Sequence, residues 1–320
     1  MRVHYLGTPA RYRWMGITPT LPVELERAGR PDVVHVFGFR DPVTTGTASW
    51  ARLRGVPYVF EPLGMFRPRL RKVALKRALD WSLFGGIAAS ADAVVVASRT
   101  ERDDVVRGGV PGERIHVRGN GFPAPFDDAP ADRHALGIPS TAPIVLYVGR
   151  IAAGKGIEHL VAALDRLPDA HLLLVGPDDR HGVRLGGGER VHVLPPTDGP
   201  PRALYRLADL VVLPSEGESF GMTAAEAAAA GTPVVVTDRC GVADFFEPGE
   251  ALVVPYDPPA LVAAVQRVIS DTTLRAVLAA GGRAAAERSS WDRVADRQED
   301  VYRVAVASRT ASTRLSTEGA

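Results

Sequence analysis

Residues 144–156, IVLYVGRIAAGKG, decide the fold of this chain. The five apolar residues 144–148 are strand-sized and rich in β-branched side chains, and a glycine-bounded turn leads from them into a helical pattern at 156–167. A strand feeding a helix through a tight turn is the repeating piece of a parallel α/β sheet. Working outward, apolar runs at 172–175, 191–194, 210–213, 234–236 and 252–254 alternate with helical patterns at 201–207, 223–230 and 259–269, with further helix at 273–286 and 292–307. Upstream, strand-like runs at 3–6, 32–37, 57–60, 92–97 and 115–118 alternate with helical patterns at 21–30, 45–54, 69–83 and 99–107. The stretch 123–143 is rich in Pro, Ala and Asp and interrupts the rhythm. The chain therefore reads as α/β, with two doubly wound Rossmann-like domains facing a cleft. The first domain is expected over 1–128, a linker over 129–142, the second domain over 143–288, a terminal helix over 289–308 and a frayed tail over 309–320.

Composition narrows the function classes. The chain has 320 residues, 46% of them hydrophobic and 23% charged, which fits a well-cored globular protein and neither a disordered chain nor a mostly buried membrane protein. Lys plus Arg number 38 against 37 Asp plus Glu, so net charge offers no reason to expect a nucleic-acid partner. Arg67, Arg69, Arg71, Lys72, Lys76 and Arg77 form the one dense basic run, which suits either an ordinary solvated helix or an anionic membrane surface. Cys240 is the only cysteine, which excludes an intrachain disulfide framework. The expected location is the cytoplasm, with the inner face of the membrane as the alternative.

Two motifs follow strands, where open α/β sheets place ligands. In the first, Gly149 and Arg150 precede Lys155, one of only three lysines in the chain. Lys155 and Arg150 suit phosphate oxygens, assisted by the amide groups of a helix start. The alternative is a solvated turn with two surface cations, and the spacing does not fit the Walker A phosphate loop. The second motif, PSEGESFGMTAAEAAAAGTPVVV over 214–236, sets Glu218 in a loop and Glu226 on the next helix, with seven residues between them, Phe220 and Gly221 included. Carboxylates so placed can accept hydrogen bonds from sugar or ribose hydroxyls; alternatively they are solvated acids at a helix start.

Together these residues resemble the donor-binding half of the retaining, two-domain GT-B glycosyltransferases of family 4, the group 1 glycosyltransferases, over about 144–269. The resemblance implies that Arg150 and Lys155 hold the donor diphosphate, that Glu218, the first acid of an E-x7-E motif, lies beside the transferred sugar, and that Glu226 binds the ribose. Gly149, Phe220 and Gly221 would shape the donor pocket. It implies sugar transfer from a nucleotide diphosphate sugar, with retained configuration, to a glycan, lipid-linked or small-molecule acceptor. Cys240, Gly241 and Asp244 stand where relatives carry Gly-Gly and a nearby Glu. The sequence carries no D-x-D pair after a suitable strand and no Cys/His ligand spacing, so no metal and no cofactor are expected. A dinucleotide oxidoreductase is disfavoured by the lack of a G-x-G-x-x-G fingerprint.

The first half is read more weakly. His35 ends a strand where relatives commonly show two histidines; Phe37 occupies the second position. His35 is either an acceptor-side residue or a histidine hydrogen-bonded within the fold. Gly64, after the next strand, and Asn120, in an Asn-Gly turn, are the other acceptor-side candidates. The opening residues resemble a later strand of the family's first domain, which implies that about one βαβ unit is absent. The competing reading is then a nucleotide-sugar-binding protein with impaired transfer.

Overall fold

A computed structural model of the protein describes residues 3–12, 15–66, 85–179 and 185–318, and the basic run from Arg67 to Arg77 lies outside them. The chain divides into two compact units, Gly119–Val294 and Met1–Arg118 with Ala295–Ala320.

The unit over Gly119–Val294 is built on a six-stranded parallel sheet of order β12-β11-β10-β7-β8-β9. Its strands are β7 Ile144–Val148, β8 His171–Val175, β9 Val191–Leu194, β10 Leu210–Leu213, β11 Val234–Thr237 and β12 Leu252–Val254. Every residue of β10 and β11 is buried, as expected for central strands covered on both faces. From β7 the chain adds β8 and β9 on one side, then returns to add β10 on the other. The sheet reverses direction between β7 and β10, and the crevice at their carboxyl ends is where such sheets bind ligands. The helix Met222–Ala230 follows β10, and its alanines Ala224, Ala225 and Ala227 to Ala230 are buried. Small side chains on that face let it lie close to the sheet and its neighbours.

The Pro-rich stretch after Gly119 is packed into this unit. Phe122 donates its N–H to the Ser289 carbonyl at 2.7 Å, Phe126 to Ala229 at 3.2 Å and Ala131 to Ala203 at 2.9 Å. The Arg133 guanidinium donates to the carbonyls of Pro139, Ser140 and Ala142, while Phe122, Phe126 and Ile138 are buried. The boundary between units falls at Arg118 and Gly119, ahead of the expected linker at 129–142. Composition alone does not reveal these aromatic anchors and captured carbonyls.

In the other unit, the parallel strands β3 Val34–Phe37, β4 Tyr58–Glu61, β5 Ala93–Val96 and β6 Ile115–Val117 lie in sequential order. A short antiparallel ribbon, β1 Ala10–Tyr12 with β2 Met15–Ile17, precedes them. Residues 3–6, expected as a strand, form no regular element, and Tyr5 is fully exposed there with no face to pack. One face of the sheet, with Val36, Tyr58, Phe60, Val94 and Val96, packs on helices carrying Ala48, Ala51, Ile87, Ala88 and Val105. The other, with Val59, Ala93 and Val95, packs on Val301 and Ala305 of the terminal helix Trp291–Glu318. That helix runs through most of the stretch expected to fray, 309–320.

Candidate active site

At the switch point of the six-stranded sheet, the loops after β7 and β10 line a cleft of about 370 Å³. Its walls include Gly149, Arg150 and Lys155 from the first loop, Glu218, Phe220 and Gly221 from the second, and Asn120. The loops are held together by backbone: the Glu216 N–H donates to the Gly154 carbonyl at 3.0 Å. Gly156 is left-handed, with φ +71°, and a Cβ there would sit 2.1 Å from the Pro214 carbonyl oxygen, so the close approach of the loops requires glycine.

Lys155 and Glu218 meet across this junction, Nζ to Oε2 at 2.6 Å, each about a quarter exposed. Glu218 is fixed through its backbone, since its N–H donates to the Arg239 carbonyl and its own carbonyl accepts from Gly241, both at 3.1 Å. At this one-residue bridge the Cys240 side chain is buried against Thr237 and the Leu213 carbonyl, and burial pushes its thiol up to about 11. Arg150 is mostly exposed and only loosely paired, its Nε 3.6 Å from Asp179. Its carbonyl accepts a hydrogen bond from the buried Tyr147 hydroxyl at 2.9 Å, which shapes the turn.

Gly221, with φ +108°, caps the helix Met222–Ala230 at its N-terminus, and a Cβ there would press on Leu213. Its conformation lets the first turn of the helix, with Met222 and Thr223, face the cleft, where orphan N–H groups and the helix dipole favour an anion. Phe220 is buried and packs tilted against Phe245, ring centroids 5.4 Å apart, beneath the cleft floor. Glu226 follows Thr223 by three positions and so continues the same helix face one turn further on, beyond the cleft itself. It accepts a hydrogen bond from the wholly buried Tyr205 hydroxyl at 2.7 Å, and burial raises its carboxyl above the ordinary range, partly offset by that bond.

In the other unit His35 is built into a buried network. Its Nδ1 lies 2.9 Å from the Tyr302 hydroxyl and its Nε2 3.3 Å from Glu61, while its ring stacks on Phe37 at 4.0 Å. Arg118 holds both oxygens of Glu61 at 3.0 and 2.8 Å and reaches Gln298 at 2.7 Å. The Gly64 N–H donates to the buried Glu101 carboxylate, which also accepts from Ala97. His35 and Gly64 therefore belong to packed hydrogen-bonded structure, and Asn120 joins the cleft of the Gly119–Val294 unit. Tyr147 and Tyr205 carry polar roles that their apolar settings, a strand run and a short helix, concealed.

Residues 128–285 match the family of glycosyl transferases group 1, and residues 1–121 the glycosyl transferase 4-like domain. A D-inositol 3-phosphate glycosyltransferase 1 of Catenulispora acidiphila is 32% identical over 316 residues, covering 88% of this chain and 74% of the relative. The chain belongs to the group 1 glycosyltransferases. Another relative, the D-inositol 3-phosphate glycosyltransferase of Xylanimonas cellulosilytica, is 37% identical over 249 residues, 70% of this chain and 60% of its own length. This group 1 chain spans about 51 to 60% of the length of three such relatives. Sucrose-phosphate synthase of Thermosynechococcus elongatus shares the GT-B fold at TM-score 0.71 and 29% identity, covering 89% of this chain and 77% of that one. HepE of Anabaena, solved in complex with UDP, shares the fold at TM-score 0.73 and 22% identity, with 88% and 81% covered.

Proposed function

We propose that the protein transfers a sugar from a nucleotide diphosphate sugar to an acceptor hydroxyl, with retention of configuration and without a metal ion. The observation that carries the reading is the pairing of Lys155 with Glu218 at the switch-point cleft, where a phosphate-binding cation and a hydroxyl-binding acid stand side by side. UDP-glucose, bound by HepE, is a donor of the class such a cleft suits, and UDP, bound there too, is the nucleotide that transfer from it releases.

In this reading Lys155 and Arg150 face the diphosphate, and the N–H groups after Gly221 add partial positive charge. The bond between the anomeric carbon and the β-phosphate oxygen breaks as the acceptor oxygen bonds to that carbon from the same face. The acceptor proton passes to the departing phosphate, and the products are a glycoside and a nucleoside diphosphate. Lys155 and Arg150 accelerate the reaction insofar as they bind the leaving group's growing charge more strongly than the intact donor. Glu218, fixed through its backbone bridge and released from Lys155 by the diphosphate, orients the sugar hydroxyls.

Incubating the chain with a panel of nucleotide sugars and candidate acceptors in the presence of EDTA, with products read by mass spectrometry and proton NMR, tests the reading. The expected product keeps the donor's anomeric configuration. Donor binding without turnover would favour a binding protein instead, the reading to which Phe37 in place of a second histidine points.

A further inference from the structure

We propose that Tyr205 is a positioning residue for the nucleotide: its hydroxyl holds the Glu226 carboxylate in the orientation that pairs with the vicinal hydroxyls of a ribose, so the site selects ribonucleoside over 2′-deoxyribonucleoside diphosphates. The inference rests on the reading of the cleft as a nucleotide-sugar site.

Tyr205 stands in the short helix Arg202–Leu207, wholly buried, and its O–H donates to Glu226 Oε2 at 2.7 Å. The ring has no room to retreat, because its backbone is tied on several sides. Thr232 Oγ1 donates to the Tyr205 carbonyl at 2.6 Å, and the Tyr205 N–H donates to Pro201 at 3.1 Å. The neighbouring Arg206 guanidinium donates to the Ala230 carbonyl at 2.9 Å, and the Ala131 N–H to Ala203 at 2.9 Å. The phenol is thus a fixed point built from the helix Arg202–Leu207 and the carboxyl end of the helix Met222–Ala230.

A glutamate on a helix has three rotatable side-chain bonds, and a vicinal diol gains most when it meets a carboxylate already oriented. The Tyr205 bond fixes that orientation and occupies one lone pair of Oε2. It is the only hydrogen bond to the Glu226 side chain among the described residues, so Oε1 and the remaining lone pair of Oε2 stay available for two hydroxyl donors. Glu226 lies one helical turn past Met222 and Thr223, which line the cleft, on the helix face those residues begin. Burial favours the neutral acid, whereas the Tyr205 bond favours the charged form, the better acceptor. A site built to accept hydroxyl donors on a half-buried carboxylate discriminates against a ligand that lacks one, because an acceptor is then left unmatched.

The test is calorimetric titration of the full chain with UDP and 2′-deoxy-UDP, and with GDP and 2′-deoxy-GDP, for wild type, Tyr205→Phe, Glu226→Ala and the double variant. Wild type should prefer the ribonucleotide by about tenfold or more. Tyr205→Phe keeps the ring and its packing, and should cut that preference by at least about threefold, weakening the ribonucleotide more than the deoxynucleotide, which has only its 3′-hydroxyl to offer Glu226. The preference should vanish in Glu226→Ala and fall no further in the double variant. A wild-type preference in Tyr205→Phe, or an equal loss for both sugars, would overturn the role of Tyr205. A preference that survives Glu226→Ala would overturn the ribose assignment beneath it, and no binding of either ribonucleotide would overturn the reading of the cleft.

Discussion

Lys155 Nζ and Glu218 Oε2 lie 2.6 Å apart although 63 residues separate them in the chain. The two charges neutralise each other. In the proposed reaction the donor diphosphate competes with Glu218 for the Lys155 ammonium, and the carboxylate so released turns to the sugar hydroxyls. Nucleotide binding and sugar orientation are thereby linked through one side-chain exchange.

This linkage predicts non-additive variants. Lys155→Ala removes a cation and leaves the Glu218 charge facing the diphosphate, so nucleotide affinity and transfer should fall by about a hundredfold or more. Adding Glu218→Ala removes that repulsion and should restore part of the nucleotide affinity without restoring transfer. Titrations and steady-state rates on the four members of the cycle check this, and strict additivity would argue against the exchange.

A pH dependence follows from Glu226, whose carboxyl burial raises above its ordinary value, with Tyr205 partly opposing the shift. In the proposed site ribose is held by the Glu226 carboxylate, so nucleotide affinity should be full above the raised value and decline as pH drops through it. Stability runs the other way. The folded chain holds this proton more tightly than the unfolded chain, so the fold is favoured at low pH and loses that contribution as pH rises through the raised value. Glu226→Gln should flatten this limb of the affinity profile, and its Tm relative to wild type should become more favourable from pH 4 to pH 7.

Gly156 marks the closest approach of the two cleft loops. Gly156→Ala should destabilise the chain by about 2–4 kcal/mol, combining left-handed strain with the clash at the Pro214 carbonyl. Gly137, with φ +70° and nothing within 4 Å of a Cβ, is the control, and Gly137→Ala should cost only about 1 kcal/mol. Denaturant melts of the two variants measure the difference; equal losses would mean that the loop contact is not tight.

The pair of Glu61 and Arg118 is buried, with side chains 3% and 10% exposed. Arg118→Met should destabilise the chain by about 3–5 kcal/mol, because it strands the Glu61 charge, and Arg118→Met with Glu61→Leu should recover much of the loss. Thermal melts of the single and double variants provide the check.

What was legible in the sequence follows chain proximity. Strands β3 to β12 stand out as apolar runs, and Lys155, Arg150, Glu218 and Gly221 stand out because turn chemistry and scarce residue types sit directly after those runs. The association of β7 with β10, which makes a single cleft of two separate motifs, comes from the sheet. Tyr147, in the apolar run IVLYV, looks like core, and Tyr205, in the short helix RALYRL, carries no local signal, because each hydroxyl finds its partner elsewhere. The network of His35, Glu61, Arg118, Gln298 and Tyr302 was illegible for the same reason: His35 and Tyr302 are 267 residues apart. The stretch 123–143 looked like a linker because its anchors, the Arg133 guanidinium and the isolated Phe122, Phe126 and Ile138, leave no periodic pattern.

In the proposed reaction Lys155 receives the diphosphate of a nucleotide sugar in the switch-point cleft. Calorimetric titration of UDP and GDP into the wild-type chain and into Lys155→Ala tests it most directly. Saturable 1:1 binding of at least one nucleotide to wild type is expected without added metal, with an affinity at least about tenfold weaker in the variant. Equal affinity in both proteins, or no binding to either, would contradict it.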